Sequence, residues 1–475
     1  MNLRLVLNYL GRILVYFTII LLLPLGVAYY YGEPLIPFVT AQLVSILAGA
    51  LLISIKPENE LLRYKEGIAI VGLGWFFVSL VGSIPYLFFT HPINAFFETM
   101  AGFTTTGATI FDRVEDLPRS LLFWRSLTQW LGGMGIIVLF VAVFPAMAKR
   151  GEKLFHAEYP GLDLGKLKPR VEDTAIILYS VYLFYTLLEA SILYALGFSP
   201  FDAITHAFTT LSTGGFSTHS ESISYFNDVR VEAVITLFMF FGGTNFAVHY
   251  YMLTARRNPF RDMEFRVYVG IVAIAVLILT LVNLDRFDAL ESLRRSVFQA
   301  VSIITTTGYT TSDFDTWSDS ARVILLILMF IGGCSGSTAG GIKVVRLFLL
   351  LKYSIHQVLK AAEPRIVRIV KYGEQTVGKE QLDAIAAFFI LYILVFVFSS
   401  LVLALSNLDI ITSISSVAAC LGNVGPAMGL AGAAETYSAL PYHVKFVLAV
   451  DMWVGRLEIF TVVSLFIPQF WMKKW

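Results

Sequence analysis

The sequence predicts an all-α membrane protein with many spanning helices, and two observations lead to this fold class. The chain has 475 residues, of which 57% are hydrophobic and only 15% are charged, whereas soluble domains carry charges at about a quarter of their positions. Apolar runs of about 20 residues, enough to cross about 30 Å of hydrocarbon, recur along the chain. A bilayer accepts only helices or closed barrels, and strand-length alternation is absent, so the runs are predicted to be helices.

Ten spans are predicted, and the basic residues set their orientation. Lysines and arginines concentrate between spans four and five, six and seven, and eight and nine, and at the C-terminus. The positive-inside rule then predicts that these loops and both termini are cytoplasmic. The predicted spans are 10–32, 36–55, 67–90, 121–147, 173–197, 231–254, 267–284, 322–352, 383–406 and 443–470.

A short polar motif containing Thr-Gly interrupts the apolar chain three times. The segments MAGFTTTGATIFD, AFTTLSTGGFSTH and AVSIITTTGYTTSDF each include or follow a short helical stretch and lie between two spans. A fourth unit, LDIITSISSVAACLGNVGPAMGLAG, keeps this order without the threonines. The pattern predicts four repeats of span, half-membrane helix, Thr-Gly segment and span.

The repeats divide the chain into five predicted segments. Residues 1–56 are expected to form an N-terminal two-helix pair, and the repeats are expected at 57–150, 151–258, 259–355 and 356–475. Irregular backbone at membrane depth is tolerated only where it is buried or lines water. The four Thr-Gly segments are therefore predicted to be re-entrant loops around one pore.

Four such loops would offer the ligands that a hard monovalent cation requires. Carbonyl groups outside helices and threonine hydroxyls can replace the hydration shell of the ion. Each short helix would also point its partly negative C-terminal end at the pore. Glycine permits the positive φ that such a backbone requires. The predicted corners of the ring are Gly107, Gly214, Gly308 and Gly425.

These motifs resemble the Trk/Ktr/HKT superfamily of potassium transporters, and specifically its TrkH-type members, over nearly the whole chain. The segment GGCSGSTAGGIKVVR resembles the glycine-rich part of the family's third inner helix, and DMWVGRLEIFT resembles its fourth. The resemblance implies potassium-channel-like M1-P-M2 repeats and potassium as the transported substrate. The implied filter residues are Thr105, Thr106, Gly107, Ser212, Thr213, Gly214, Thr306, Thr307, Gly308, Asn423, Val424 and Gly425.

The glycine-rich segment lies in the middle of span eight and predicts a helix break. Each glycine costs about 1 kcal/mol relative to alanine inside a helix, although close helix packing through small residues is an alternative. The resemblance implies a gating loop there, below the filter, with an arginine of span ten pointing into the pathway. The implied gate residues are Gly332, Gly333, Ser335, Gly336, Ser337, Thr338, Gly340, Gly341, Lys343 and Arg456.

Two of these cations have other interpretations. Arg456 could be a structural residue that pairs with free carbonyls of the broken span, and such pairing could itself hold the gate shut. Lys343 could lie low in span eight and extend to the cytoplasm.

The segments that follow the predicted filters are acidic. Nine carboxylates face four arginines there, which would concentrate cations at the entrance of the pore. A solvated surface without a focused field is the alternative. The carboxylates are Asp112, Glu115, Asp116, Glu221, Asp228, Asp313, Asp315, Asp319 and Glu435.

Other classes of function receive little support. The seven histidines show no metal-ligand spacing and no nucleophile elbow occurs, so an enzyme is not expected. A net charge of +1 gives no indication of nucleic-acid binding. A carrier of another solute would predict two related halves rather than four quarters. A proton- or sodium-coupled cation symporter on the same scaffold remains an alternative.

The resemblance also implies partners and a location. It implies a homodimer in the bilayer of a prokaryotic plasma membrane, with a cytosolic TrkA-like regulator that binds nucleotides through RCK domains. No cofactor or nucleotide is expected to bind this chain itself, because its longest predicted cytoplasmic segment, near residues 352–381, is too short for such a domain.

Overall fold

The computed structural model describes residues 1–57, 62–138, 171–363, 369–373 and 375–472. At its N-terminus, helices α1 (Leu3–Ile20) and α2 (Leu22–Tyr31) form one long rod that packs against α3 (Ile36–Ile53). Gly11 and Gly49 let the two backbones approach, since a Cβ on either glycine would lie within 3.0 Å of the opposite helix backbone. This unit is the predicted N-terminal pair.

Four repeats follow, each with an outer helix, a short pore helix and an inner helix. The outer helices are Tyr64–Gly82, Val171–Ala195, Met263–Asn283 and Lys379–Leu405. The pore helices are Pro92–Phe103, Pro200–Leu211, Ala289–Ile304 and Ile410–Leu421. The inner helices are Arg119–Val138, Val229–Gly242 with Phe246–Ala255, Asp319–Phe330 with Val344–Ala362, and Tyr442–Arg456 with Ile459–Leu465.

The pore helices have the predicted half-membrane length. Three have 12 residues and the third has 16, which corresponds to about 18–24 Å at about 1.5 Å per residue. Their starts are fixed by side-chain caps, because Ser199, Asp288 and Asp409 each accept a hydrogen bond from an amide of the first turn. The elements that follow the pore helices therefore begin at mid-depth in the bundle.

Within the described residues, three of the four inner helices are interrupted, two of them where the sequence predicted a continuous span. The second is bent by 103° between its two parts, and the fourth is interrupted at Leu457 and Glu458, so the continuous spans predicted at 231–254 and 443–470 are wrong. The third is interrupted at 331–343, as its glycines predict. A hydropathy average runs across such short polar breaks, which explains why two of them are not evident from the sequence.

Length and composition give a smaller count of spans. Among the described residues, six helices are long and apolar enough to cross a membrane, and the bent inner helix of the second repeat would make a seventh. Most parts of the interrupted inner helices are too short to cross a membrane, and Val344–Ala362, with 19 residues, is not among the six. Residues 139–147 of the predicted span 121–147, and the predicted boundary at 150, lie outside the described residues.

One predicted segment boundary falls inside a helix. The third repeat was expected to end at residue 355, but its last helix continues to Ala362. A two-stranded hairpin, Lys371–Tyr372 and Gln375–Thr376, follows before the outer helix of the fourth repeat. The first turns of the helix Val344–Ala362 pack on the hairpin through Val345 and Leu349.

Candidate functional site

Each pore helix ends in the same turn. In the first repeat the amide of Thr105 donates to Gly102 O at 2.9 Å and that of Thr106 donates to Ala101 O at 2.8 Å. This pair of bonds is a Schellman motif, which requires a left-handed residue after the helix. The left-handed residues are Thr105 (φ 50°), Thr213 (φ 53°), Thr306 (φ 57°) and Asn423 (φ 57°).

This turn shifts the predicted filter segment of the second repeat by one residue. Two residues after each left-handed position comes a glycine with positive φ, namely Gly107, Gly215, Gly308 and Gly425. Gly214 is therefore not the equivalent of Gly107, and Ser212 is the C-cap of its pore helix rather than a ring residue. The second repeat contains Gly-Gly, and matching Thr-Gly to Thr-Gly selects the first glycine when the backbone requires the second.

The four segments close into a ring with carbonyl oxygens between neighbouring repeats. A Cβ on any of the four glycines would lie closer than 3.0 Å to a carbonyl oxygen of the next repeat, a distance that real Cβ atoms do not show. Gly107 faces Gly214 O, Gly215 faces Thr307 O, Gly308 faces Val424 O, and Gly425 faces Thr106 O. This cyclic order gives four equivalent oxygens, and only glycine fits beside each of them.

A layer of side-chain oxygens adjoins this carbonyl ring. Thr105, Thr213, Thr306 and Asn423 are all fully buried. Thr105 Oγ1 and Asn423 Oδ1 have no hydrogen-bond partner among the described residues. The side-chain Nδ2 of Asn423 donates to Thr106 Oγ1 at 3.0 Å, which joins the fourth repeat to the first. The fourth repeat thus supplies an amide oxygen where the others supply hydroxyls.

A cavity of about 390 Å³ opens above the four glycines. It is bordered by residues from all four repeats, and four of the predicted acidic residues line it: Asp112, Glu221, Asp313 and Glu435. Three other predicted carboxylates are paired, Asp315 with Arg322 at 3.1 Å, Asp228 with Arg230 at 2.7 Å, and Asp116 with Arg113 at 3.7 Å. Four carboxylates therefore border the cavity, where they would attract cations.

Two titratable groups at this mouth have shifted pKa values. Burial raises the pKa of the Glu115 carboxyl, but hydrogen bonds donated by Ser220 outweigh it, so the pKa lies below the usual 4.5. Burial lowers the pKa of His219 below its usual 6.5, although Asp202 and Glu115 oppose the shift. The lowered pKa values favour the neutral form of the His219 ring and the ionised form of the Glu115 carboxyl.

The glycine-rich segment forms a loop directly below the filter. Its ends are joined, since Gly332 N donates to Ile342 O at 2.9 Å and Ile342 N donates to Phe330 O at 3.0 Å. Its tip reaches the side-chain layer, where Gly340 N donates to Thr306 Oγ1 at 2.7 Å. A Cβ on Gly340 would collide with the carbonyl of Gly422 at the end of the fourth pore helix.

The bend in the second inner helix provides the other contacts of this loop. The carbonyls freed at Gly242 and Gly243 accept hydrogen bonds from Thr338 N at 3.2 Å and from Cys334 N at 2.8 Å. Thr338 Oγ1 also donates to Leu211 O at 2.9 Å, at the end of the second pore helix. The loop therefore contacts the second and fourth repeats as well as its own, and it occupies the space beneath the ring.

Charged side chains surround the loop. Arg456 is buried and donates from Nη1 to Thr338 O at 2.7 Å, so it pairs with a free carbonyl of the broken span. Lys343 is also buried and donates to Ala339 O, which contradicts the alternative that it extends to the cytoplasm. Arg346 forms a salt bridge with Glu458 at 2.5 Å, which joins the two interrupted inner helices.

Several buried polar residues near the filter were not predicted from the sequence. Glu98, Arg125 and Gln129 are at most 1% exposed and contact the filter segments of the first two repeats. Glu264 accepts the amide of Ser335 at 2.7 Å and holds one side of the loop. The available signal was the presence of ionisable side chains inside apolar spans, which is costly unless they have a role.

Comparison with known proteins decides the family. The family model described as TrkH, cation transport protein, matches residues 37–473. This chain belongs to the TrkH family of cation transport proteins. It is 38% identical to the Trk system potassium uptake protein TrkH of Halomonas elongata over 100% of both chains. It is 36% identical to the protein of the same name from Escherichia coli K12, over 99% of this chain and 100% of the relative.

A solved structure from the same family has the same fold. The crystal structure of the potassium transporter TrkH from Vibrio parahaemolyticus superposes with a TM-score of 0.89 at 35% identity, covering 99% of this chain and 100% of that one. The M1-P-M2 repeats and the polytopic membrane architecture inferred from the sequence are thereby confirmed.

Proposed function

We propose that this chain is the potassium-conducting subunit of a Trk-type uptake system. The observation that carries the proposal is the closed ring of four carbonyl oxygens, from Thr106, Gly214, Thr307 and Val424, below an acidic cavity. Rings of backbone carbonyls that replace the hydration shell are the known basis of potassium selection. The names of the relatives, Trk system potassium uptake proteins, support the same substrate.

The filter of the proposal comprises the left-handed residue, the carbonyl residue and the glycine of each repeat. For the second repeat these are Thr213, Gly214 and Gly215, and for the other repeats they are the residues predicted from the sequence. The gate of the proposal is the loop at 331–343 together with Arg456. The hydrogen bond from Arg456 to Thr338 O supports a role in holding this loop beneath the ring.

The proposed location is the inner membrane of a prokaryote, with both termini in the cytoplasm. The six to seven apolar helices and the bacterial relatives support the membrane. The name Trk system supports assembly with further components. We propose a homodimer and a TrkA-like cytosolic regulator that supplies nucleotide control, with no cofactor held by this chain.

The test is potassium and sodium uptake in a bacterial host that lacks its own potassium uptake systems. Expression of the chain should restore growth at low external potassium and produce potassium uptake in preference to sodium. Proteoliposomes with and without a pH or sodium gradient then separate the channel from the symporter. Absence of cation uptake by protein that is present in the membrane would reject the proposal.

A further inference from the structure

The inner helix of the first repeat reaches across to the filter segment of the second. Arg125 and Gln129 lie one turn apart on this helix, so their side chains share one face. Both are buried, with exposed fractions of 1% and 0%. Neither is one of the filter or gate residues described above, although both contact the filter segment directly.

Gln129 holds the backbone on both sides of Gly215. Its Nε2 donates to Gly214 O at 2.7 Å, and its Oε1 accepts the amide of Phe216 at 3.0 Å. A Cβ on Gly214 would collide with this side chain, so the contact is close as well as directional. Gln129 therefore fixes the orientation of the one carbonyl that the second repeat contributes to the ring.

Arg125 holds the same segment two residues further on and ties it to the first repeat. Its Nη1 donates to Ser217 O at 3.0 Å, and its guanidinium lies 4.2 Å from the centre of the Phe216 ring. Its Nε donates to Glu98 at 2.8 Å, and Glu98 in turn accepts the amide of Ile110 at 2.9 Å. Hydrogen bonds to both charged groups stabilise the buried ion pair of Arg125 and Glu98, and removal of either residue would leave the other as an unpaired buried charge.

The other repeats stabilise their segments with neutral groups. Glu98 lies nine residues before the filter glycine, and the equivalent residues are His206, Gln299 and Ser416. His206 pairs with Ser217 Oγ at 3.0 Å, but the side chains of Gln299 and Ser416 have no partner within the described residues. In the third and fourth repeats, hydroxyl groups hold the backbone of these segments instead. Ser302 Oγ donates to Tyr309 O and the Tyr437 hydroxyl donates to Gly425 O, both at 2.7 Å.

We propose that Arg125 and Gln129, with Glu98, are positioning residues that set the potassium-to-sodium selectivity of the ring at the junction of the first two repeats. The inference rests on the proposed function. Sodium is smaller than potassium, so a carbonyl that is free to turn inward accommodates it more readily. Gln129 restrains the Gly214 carbonyl directly, and Arg125 restrains the segment that follows it.

The experiment compares Arg125→Gln and Gln129→Leu with a matched control, Arg294→Gln. Arg294 also joins a pore helix to an inner helix of another repeat, through Glu232 at 2.6 Å, but its ion pair involves no filter residue. Potassium and sodium uptake are measured separately in the potassium-uptake-deficient host, with the amount of protein in the membrane determined for each variant.

Arg125→Gln and Gln129→Leu should each lower the potassium-to-sodium uptake ratio by about tenfold. A change of this size is expected when a buried polar group loses a hydrogen bond. Sodium uptake per molecule should rise, which a simple loss of folded protein cannot produce. Arg294→Gln should keep the wild-type ratio. If Arg125→Gln does not reach the membrane, Gln129→Leu, which removes no charge, decides the question.

Three results would overturn the inference. The first is a wild-type uptake ratio in Arg125→Gln and Gln129→Leu, and the second is an equal fall of potassium and sodium uptake in these two variants. The third is the same change of ratio in Arg294→Gln. Failure of the proposed function itself looks different, because the unmodified chain would then show no preference for potassium.

Discussion

The proposed filter and the inner helices below it follow opposite rules of symmetry. At the filter, four segments with different sequences adopt the same backbone, with a left-handed residue followed two positions later by a glycine. Below it, the four inner helices differ: the first is unbroken through Val138, the second is bent, the third is opened by a loop and the fourth is interrupted at Glu458. The proposed roles account for this difference, because coordination of an ion requires ligands on all sides, whereas one loop would be enough to close a pathway.

The largest effect is expected from breaking the symmetric part. Serine at Gly215 or Gly308 would place a Cβ against the carbonyl of the next repeat and add about 1–2 kcal/mol of left-handed strain. The potassium-to-sodium uptake ratio should fall by at least roughly tenfold in both variants. Gly270→Ser is the control, because nothing lies within 4 Å of its Cβ position. Wild-type selectivity in Gly215→Ser would contradict the corrected register.

The asymmetric part should respond with flux rather than selectivity. Deletion of residues 335–339 removes the hydrogen bonds of Thr338 to the second repeat while leaving the bonded pair Gly332 and Ile342 in place. Potassium uptake should rise roughly tenfold, the change that about 1.4 kcal/mol of barrier produces, and the potassium-to-sodium ratio should stay the same. Unchanged uptake by well-folded protein would leave the loop with a packing role only.

Arg456→Ala should act in the same direction with a smaller effect. It removes one charged hydrogen bond to Thr338 O, but the loop keeps its backbone contacts to Gly242 and Gly243. We expect potassium uptake to rise roughly threefold to fivefold, within the range for a hydrogen bond to a charged group. Arg456→Lys retains the charge but not the planar donor and should fall between alanine and the wild type. Reduced uptake in Arg456→Ala would reverse the proposed role.

The smallest effect is expected at the acidic mouth. Asp313→Asn combined with Glu435→Gln should lower potassium uptake about twofold at low ionic strength, because the cavity attracts fewer cations. The difference should disappear near 1 M salt, where the screening length is about 3 Å. Asp319→Asn is the matched control, since Asp319 is 96% exposed and lies outside the cavity lining. A loss of uptake that persists at high salt would indicate a direct binding role instead.

Much of this protein follows from local sequence properties. Apolar length determines the outer helices, and the spacing of short amphipathic stretches determines four repeats, because both depend on composition within one window. The glycines of 332–341 predict the break in the third inner helix, since helix propensity is also local. The sequence therefore predicted the fold class. The filter residues stay a prediction, and the backbone moves the triplet of the second repeat from 212–214 to 213–215.

Only the tertiary structure decided the remaining features. Gly215, not Gly214, became the corner of the second repeat because its backbone must match the three other repeats around a common ring. The bend at Gly243 exists because its carbonyl finds a donor in the loop of another repeat, Cys334 N at 2.8 Å. Arg125 and Glu98 are tolerated inside the membrane because each meets the other and the neighbouring backbone. These outcomes depend on partners far away in sequence, and no local pattern encodes the distance between them.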